Sequence, residues 1–146
     1  MSTCSTDHRG TRRWDLNGQL HRTDGPAVEY ADGTKYWYLN GQLHRADGPA
    51  VEMPDGHKTW VLNGQLHRED GPAIVWADGT KKWFLHGRCH RTDGPAVEGA
   101  DGRKDWYLNG DWFSEEEHRR RTQPVKELTV SDLEKLLGYR IKIVKE

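Results

Sequence analysis

Apolar and polar positions along this chain repeat with a period of 23 residues. Trp14, Trp37, Trp60, Trp83 and Trp106 stand 23 residues apart, as do His21, His44, His67 and His90, and Pro26, Pro49, Pro72 and Pro95. The unit that begins at Trp37 reads WYLNGQLHRADGPAVEMPDGHKT, and nothing is inserted or deleted between Gly10 and Phe113. A fixed period of this length marks a repeat architecture in which each unit packs on its neighbours. Short strand-like runs such as KYWYL and AVEY lie between turn dipeptides. Asn-Gly lies between such runs at Asn17-Gly18, Asn40-Gly41, Asn63-Gly64 and Asn109-Gly110, with His86-Gly87 as a variant. It predicts a type I′ hairpin turn, whose two central residues both need positive φ. Asp47-Gly48-Pro49, Asp55-Gly56 and their equivalents add further turns and leave no stretch long enough for a helix. Two main strands per unit make about nine or ten in all, a sheet roughly 45 Å long at the usual spacing. The expected fold is mainly β: an elongated antiparallel β-meander of tandem hairpin repeats.

After Phe113 the period stops and helix signals begin. Ser114 and Glu117 read as a capping box for a helix running to about Thr122 and stopped by Pro124, with Arg119–Arg121 complementing its C-terminal dipole. Ser131-Asp132-Leu133-Glu134 reads as a second box, Gly138 as the stop, and YRIKIVK as a final strand. The chain therefore divides into a flexible N-terminus (1–9), a repeat array (10–113) and a helix-helix-strand segment (114–146). The plain role of the last is a small α/β cap over the open end of the sheet, whose unpaired N–H and C=O groups otherwise invite pairing.

Composition sharpens this picture. Only 34% of residues are hydrophobic and 31% are charged, which lies near the disordered end of globular composition. Seven Trp and five Tyr argue for order, and for a core that is thin and aromatic. A net charge of −1 gives no net pull toward nucleic acid or an anionic membrane. No apolar run approaches the roughly 18 residues of a membrane span, and MSTCSTDHRGTRR lacks the apolar stretch of a signal peptide. Cys4 and Cys89 form neither a disulfide framework nor a metal spacing, so the expected compartment is the reducing cytoplasm.

The pattern W-x-x-N-G-x-x-H-x-x-x-G-x-A-x-x-x-x-D-G-x-K-x resembles the MORN repeat, and more closely the divergent MORN-like arrays of phage and large-virus proteins. Those carry LNG-x-LHR-x-DGPA, which here recurs across roughly residues 10–113. The LTV-x-x-L-E-K-L-LGY string near the C-terminus is similar to the end of such phage proteins. The resemblance implies a repeat β-sheet and a viral accessory role. The chain departs from MORN in having Lys-x-Trp where MORN has Tyr-x-Gly-x-Trp, and an Arg before the DGP turn; MORN lipid binding therefore does not carry over.

Candidate chemistry is thin. Each of His21, His44, His67 and His90 precedes an Asp by three residues (Asp24, Asp47, Asp70, Asp93). Equivalent residues two strands apart are separated by about 9–10 Å, whereas two imidazoles sharing zinc need nitrogens ~3–3.5 Å apart. A general-base reading lacks a nucleophile, since Thr23 and Thr92 become Ala46 and Glu69 in the other units. The structural alternative has His and Arg pairing with Trp across the hairpin, Asp capping its own turn, and glycines serving positive φ. No phosphate loop, nucleophile elbow or Cys-x-x-Cys pair occurs. The expectation is a non-enzyme without cofactor or metal. The ladders Lys35/Lys58/Lys81/Lys104 and Arg22/Arg45/Arg68/Arg91 leave single-stranded nucleic acid as the alternative partner, although Glu29, Glu52 and Glu98 give that face mixed sign.

Positions constant in every unit serve the fold at every rung, so recognition belongs where the units differ. Between Trp and Leu stand Asp15, Tyr38, Val61, Phe84 and Tyr107; at the end of the following strand stand Tyr30, Met53, Trp76 and Gly99. The fourth unit adds Lys82, His86, Arg88 and Cys89. The expected partner-binding set is Tyr30, Tyr38, Met53, Trp76, Phe84, Tyr107, Lys82, His86 and Arg88, aromatic-rich as interface cores are. The function expected is a protein-binding scaffold, in the phage reading one that occludes a host protein such as a defence enzyme in the host cytoplasm. Homodimerisation through the same face and simple packing of these side chains on the tail are the competing uses.

Overall fold

The computed structural model describes residues 2–123, 129–138 and 140. Each central unit makes two extended runs, and each run is broken into two short strands. In the unit around Trp37 these are Lys35–Tyr36 and Tyr38–Leu39, then Gln42–Leu43, Val51–Glu52 and, across the next turn, Lys58–Thr59. The first break falls at Trp37, whose N–H donates to Ala50 O at 2.9 Å and whose carbonyl accepts from His44 N at 3.0 Å. The second is the Asp-Gly-Pro loop. Two hairpins result, one turning at Asn-Gly and one at Asp-Gly.

The Asp-Gly hairpins, with the first and last Asn-Gly hairpins, pair edge to edge into one antiparallel sheet of 12 strands, while the central hairpins at Asn40-Gly41, Asn63-Gly64 and His86-Gly87 are separate two-stranded sheets. Successive Asn-Gly hairpins still touch through backbone bonds, Gly41 N to Leu20 O at 2.9 Å and Arg22 N to Tyr38 O at 3.1 Å, and so on up the array. The Asn-Gly turns have the expected form: Asn40 has φ 50° and Gly41 φ 77°, as type I′ requires. His86 holds φ 49° in the same place.

The array starts earlier than the sequence suggests. Thr3–Thr6, expected to be part of a flexible leader, form a strand antiparallel to Arg12–Leu16. The turn between them is closed by Asp7 Oδ1, which accepts from Arg9 N at 2.9 Å and Thr11 N at 3.0 Å. TCST has no apolar alternation, so nothing in its pattern announces a strand. With this strand at one end and Asp111–Phe113 at the other, the main sheet exceeds the nine or ten strands expected.

The core is thin, but its fully buried members are small rather than aromatic. Ala27, Ala50, Ala73 and Ala96 are 0% exposed, and Val28, Val51 and Val61 join them. Most of the aromatic residues are half-buried, and Tyr30 and Trp112 are exposed, which suits a sheet one layer thick.

Two helices follow. The first, α1 (Glu115–Thr122), is capped by Ser114, whose side chain accepts from Glu117 N. The reciprocal half of the expected box does not form, because the Glu117 carboxylate bonds Arg120 and Arg121 instead. This helix packs on the last two strands, Lys104–Leu108 and Asp111–Phe113. Its His118 is 3% exposed, and its Nε2 lies 2.6 Å from Arg91 O. The second helix, α2 (Val130–Leu137), is capped two residues earlier than expected, by Thr129 in a box with Asp132, and ends at Gly138 in the left-handed conformation. Thr129 wins because Asp132 reaches both its N–H and its hydroxyl, at 3.0 and 2.6 Å. Of the strand expected over YRIKIVK only Arg140 is described, and Pro124 also lies outside the described residues. No helix among the described residues is long and apolar enough to cross a membrane.

Candidate protein-binding surface

The constant residues of the unit are absorbed by one another. Arg45 lies over the Trp37 ring, 4.1 Å from its centroid. Its Nε donates to Asp47 Oδ1 at 3.0 Å, and its Nη1 donates to Pro49 O at 3.2 Å and to Glu52 Oε1 at 3.0 Å. One guanidinium thus stacks on the tryptophan and closes the Asp-Gly-Pro loop, as its planar fork of donors allows. Arg22, Arg68 and Arg91 stack on Trp14, Trp60 and Trp83 at 4.0, 3.9 and 4.0 Å. The same guanidinium beside Asp24, Asp47, Asp70 and Asp93 holds each carboxyl below the usual carboxylate range.

Two expectations change here. The Asp of Asp-Gly-Pro does not cap its own turn; it accepts from Arg. The turn-capping role belongs to the second Asp, as when Asp55 Oδ1 accepts from His57 N at 2.8 Å. Nor does positive φ explain Gly48: a Cβ there would meet Arg45 Cζ at 2.9 Å, so the position is kept bare for the arginine.

The histidines brace the next unit. His21 Nδ1 accepts from Asn40 N at 3.1 Å, and His44 accepts likewise from Asn63 N at 3.1 Å. His67 and His90 do the same for His86 N and Asn109 N, at 3.2 and 3.0 Å. Each imidazole therefore ties one turn to the hairpin before it. Among the described residues, no group of three or more His, Cys, Asp or Glu side chains is placed to hold a metal ion.

The candidate binding residues separate into three groups. Tyr38, Phe84 and Tyr107 pair across their hairpins with Leu43, Cys89 and Trp112 and are half-buried. Val61, at the same position, is buried against Leu66. This position therefore lines the apolar side of the array. Tyr30, Met53, Trp76 and Lys82 lie on the Asp-Gly hairpins. Tyr30 is 42% exposed and meets Tyr36 edge-on at 5.8 Å. Trp76 meets His57 at 5.9 Å and carries the Lys82 ammonium at 5.2 Å. His86 and Arg88 stand apart at an Asn-Gly-type turn. Arg88 pairs with Leu85, on the face opposite Phe84 and Cys89, and the His86 ring lies 4.5 Å from His67.

Tyr36 and His57 belong with the second group. Tyr36 was findable, since the residue before each Trp also varies, as Tyr36, Thr59, Lys82 and Asp105. At the fourth unit Gly99 takes the aromatic position, and a cleft of about 470 Å³ opens among Lys82, Gly99, Arg103, Asp105 and Tyr107. Beside it, burial pushes the Cys89 thiol up to about 11, so it is a poor nucleophile at neutral pH.

Fold and surface together define a tandem-hairpin β-repeat protein. No protein-family model matches the chain, and no curated protein matches it.

Proposed function

We propose that this chain is a non-catalytic protein-binding scaffold that presents its varied Asp-Gly hairpins to a partner. The observation that carries this reading is the division of labour within each unit. The constant Trp, Arg, Asp, Gly and His are consumed by mutual contacts, whereas Tyr30, Met53 and Trp76 occupy equivalent places in successive units, with Tyr30 exposed. Aromatic residues and Met in such a row are the types that dominate interface energetics. The MORN-like pattern of the phage type, LNG-x-LHR-x-DGPA, supports a viral accessory protein that occludes a host protein stoichiometrically.

Affinity capture from host-type lysate, with and without nuclease, tests the reading. One protein captured in stoichiometric amount, resistant to nuclease and lost with Tyr30→Ala plus Trp76→Ala, is the expected result. Capture that vanishes with nuclease would replace it with the nucleic-acid reading.

A further inference from the structure

One row of the main sheet alternates in charge from strand to strand. In register it runs Arg12, Glu29, Lys35, Glu52, Lys58, Val75, Lys81, Glu98, Lys104. The alternation fails once, at Val75, where every other unit has glutamate. The same glutamates are second partners of the stacked arginines: Glu29 of Arg22 at 3.6 Å, Glu52 of Arg45 at 3.0 Å, and Glu98 of Arg91 at 2.8 Å. Arg68 stacks on Trp60 and bonds Asp70 and Pro72 O as its equivalents do, but in place of that glutamate it has a valine. Lys58 and Lys81 stand one strand to either side, about 4.8 Å each way. Glu69, the acid peculiar to this unit, is turned toward His67 Nε2 at 3.7 Å.

We infer that Arg68, Lys58 and Lys81 form a receptor notch for a single carboxylate, supplied by an acidic side chain of a protein partner. The chain itself shows the fit, since three sister positions hold a carboxylate against the equivalent arginine, two of them between lysines and Glu29 between Arg12 and Lys35. Val75 removes the internal competitor and leaves an apolar floor. A protein side chain fits better than a nucleic-acid strand, because the cationic stretch is one anion wide. A polyanion running along the row meets Glu52 or Glu98 at the next strand, and like charges at that range repel. The identity of the occupant as a protein rests on the scaffold reading; the preference for one carboxylate does not.

The test uses the purified full chain and NMR, with acetyl-Gly-Glu-Gly-amide, its Gln counterpart and a six-thymidine DNA strand as probes. The Glu peptide is expected to shift the Arg68 Nε–H signal and the amides of Lys58, Val75 and Lys81, while the Gln peptide does not. Arg45 and Arg91, whose places are filled, stay unmoved. Val75→Glu abolishes the response and Val75→Gln retains it. Val75→Glu also melts higher than Val75→Gln, by about 2–4 °C for one restored charge contact. No response, equal shifts at Arg45 and Arg91, tighter binding of the DNA strand, or equal melting of the two variants would overturn the notch. Because no lysate partner is involved, this result stands apart from the capture experiment.

Discussion

The two hairpins of each unit differ in how they treat variation. Around the Asn-Gly hairpin and the loop after it, Trp, Arg, Asp, Gly, Pro and Ala recur in four consecutive units. Trp, Arg and Asp are fixed by mutual side-chain contacts, Gly by the arginine lying against it and Ala by full burial. Around the Asp-Gly hairpin the turn and one lysine recur in all four units and a Val-Glu pair in three, while Tyr30/Met53/Trp76/Gly99 and Tyr36/Thr59/Lys82/Asp105 change from unit to unit. The sheet hydrogen bonds there are made by backbone, which is indifferent to side chain. The array thus separates a side-chain-encoded spine from a backbone-encoded surface, and the surface is free to specialise.

The sharpest way to break that contrast is to crowd the spine. Ala73 is 0% exposed, and its carbonyl accepts from Trp60 N at 2.7 Å. Ala73→Leu is expected to cost about 1–3 kcal/mol from overpacking, read as a lowered urea midpoint. A smaller loss follows from Arg45→Lys. A lysine keeps the charge but cannot stack flat on Trp37 while bonding Asp47, Pro49 and Glu52. The expected cost is about 1–2 kcal/mol; equal stability of the two proteins would show that charge alone closes the loop.

Acid should act on the spine. The arginine-bonded carboxyls of Asp24, Asp47, Asp70 and Asp93 have folded pKa values below their unfolded ones. Their contribution is therefore complete above the ordinary carboxylate pKa of about 4 and is lost as pH falls through the lower folded values. Stability from this source is expected to be flat from neutral pH to about pH 5 and to drop below about pH 4. Asp47→Asn should make the drop shallower, and denaturation midpoints against pH would show it.

The period, the Asn-Gly turns and the antiparallel meander were legible in the sequence because each depends on residues close together in the chain. Asn40 and Gly41 announce their own φ values. What was not legible depends on pairing between units. The histidine that looks like half of a His–Asp pair instead accepts from a backbone N–H 19 residues on, and no local pattern distinguishes the two. The charge row is likewise invisible until Glu52 is set beside Lys35 and Lys58 by strand register. At the surface, variation groups Tyr30 and Trp76 with Tyr38 and Phe84, whereas the structure places the first two on Asp-Gly hairpins and the last two on Asn-Gly-type hairpins. From the second unit on, the position of Tyr38 and Phe84 is apolar or aromatic, and at Val61 it is buried; in the first unit it is Asp15.

The smallest expected effect on stability is also the one that most directly separates surface from spine. Tyr30 is exposed and meets Tyr36 edge-on, so Tyr30→Ala should move the denaturation midpoint by no more than about 0.5–1 kcal/mol. Tyr38→Ala removes a ring that is half-buried opposite Leu43 and should cost more, about 2 kcal/mol, because a gap opens on the apolar side. If both tyrosines belonged to one binding face, the two substitutions would weaken partner capture alike. The division seen here expects otherwise. Tyr30→Ala loses capture at nearly unchanged stability, whereas Tyr38→Ala loses stability first and keeps capture at temperatures where the array remains folded. Paired melting and capture measurements on the two variants decide between these outcomes, and the reverse pattern would move the contact surface to the apolar side of the Asn-Gly hairpins.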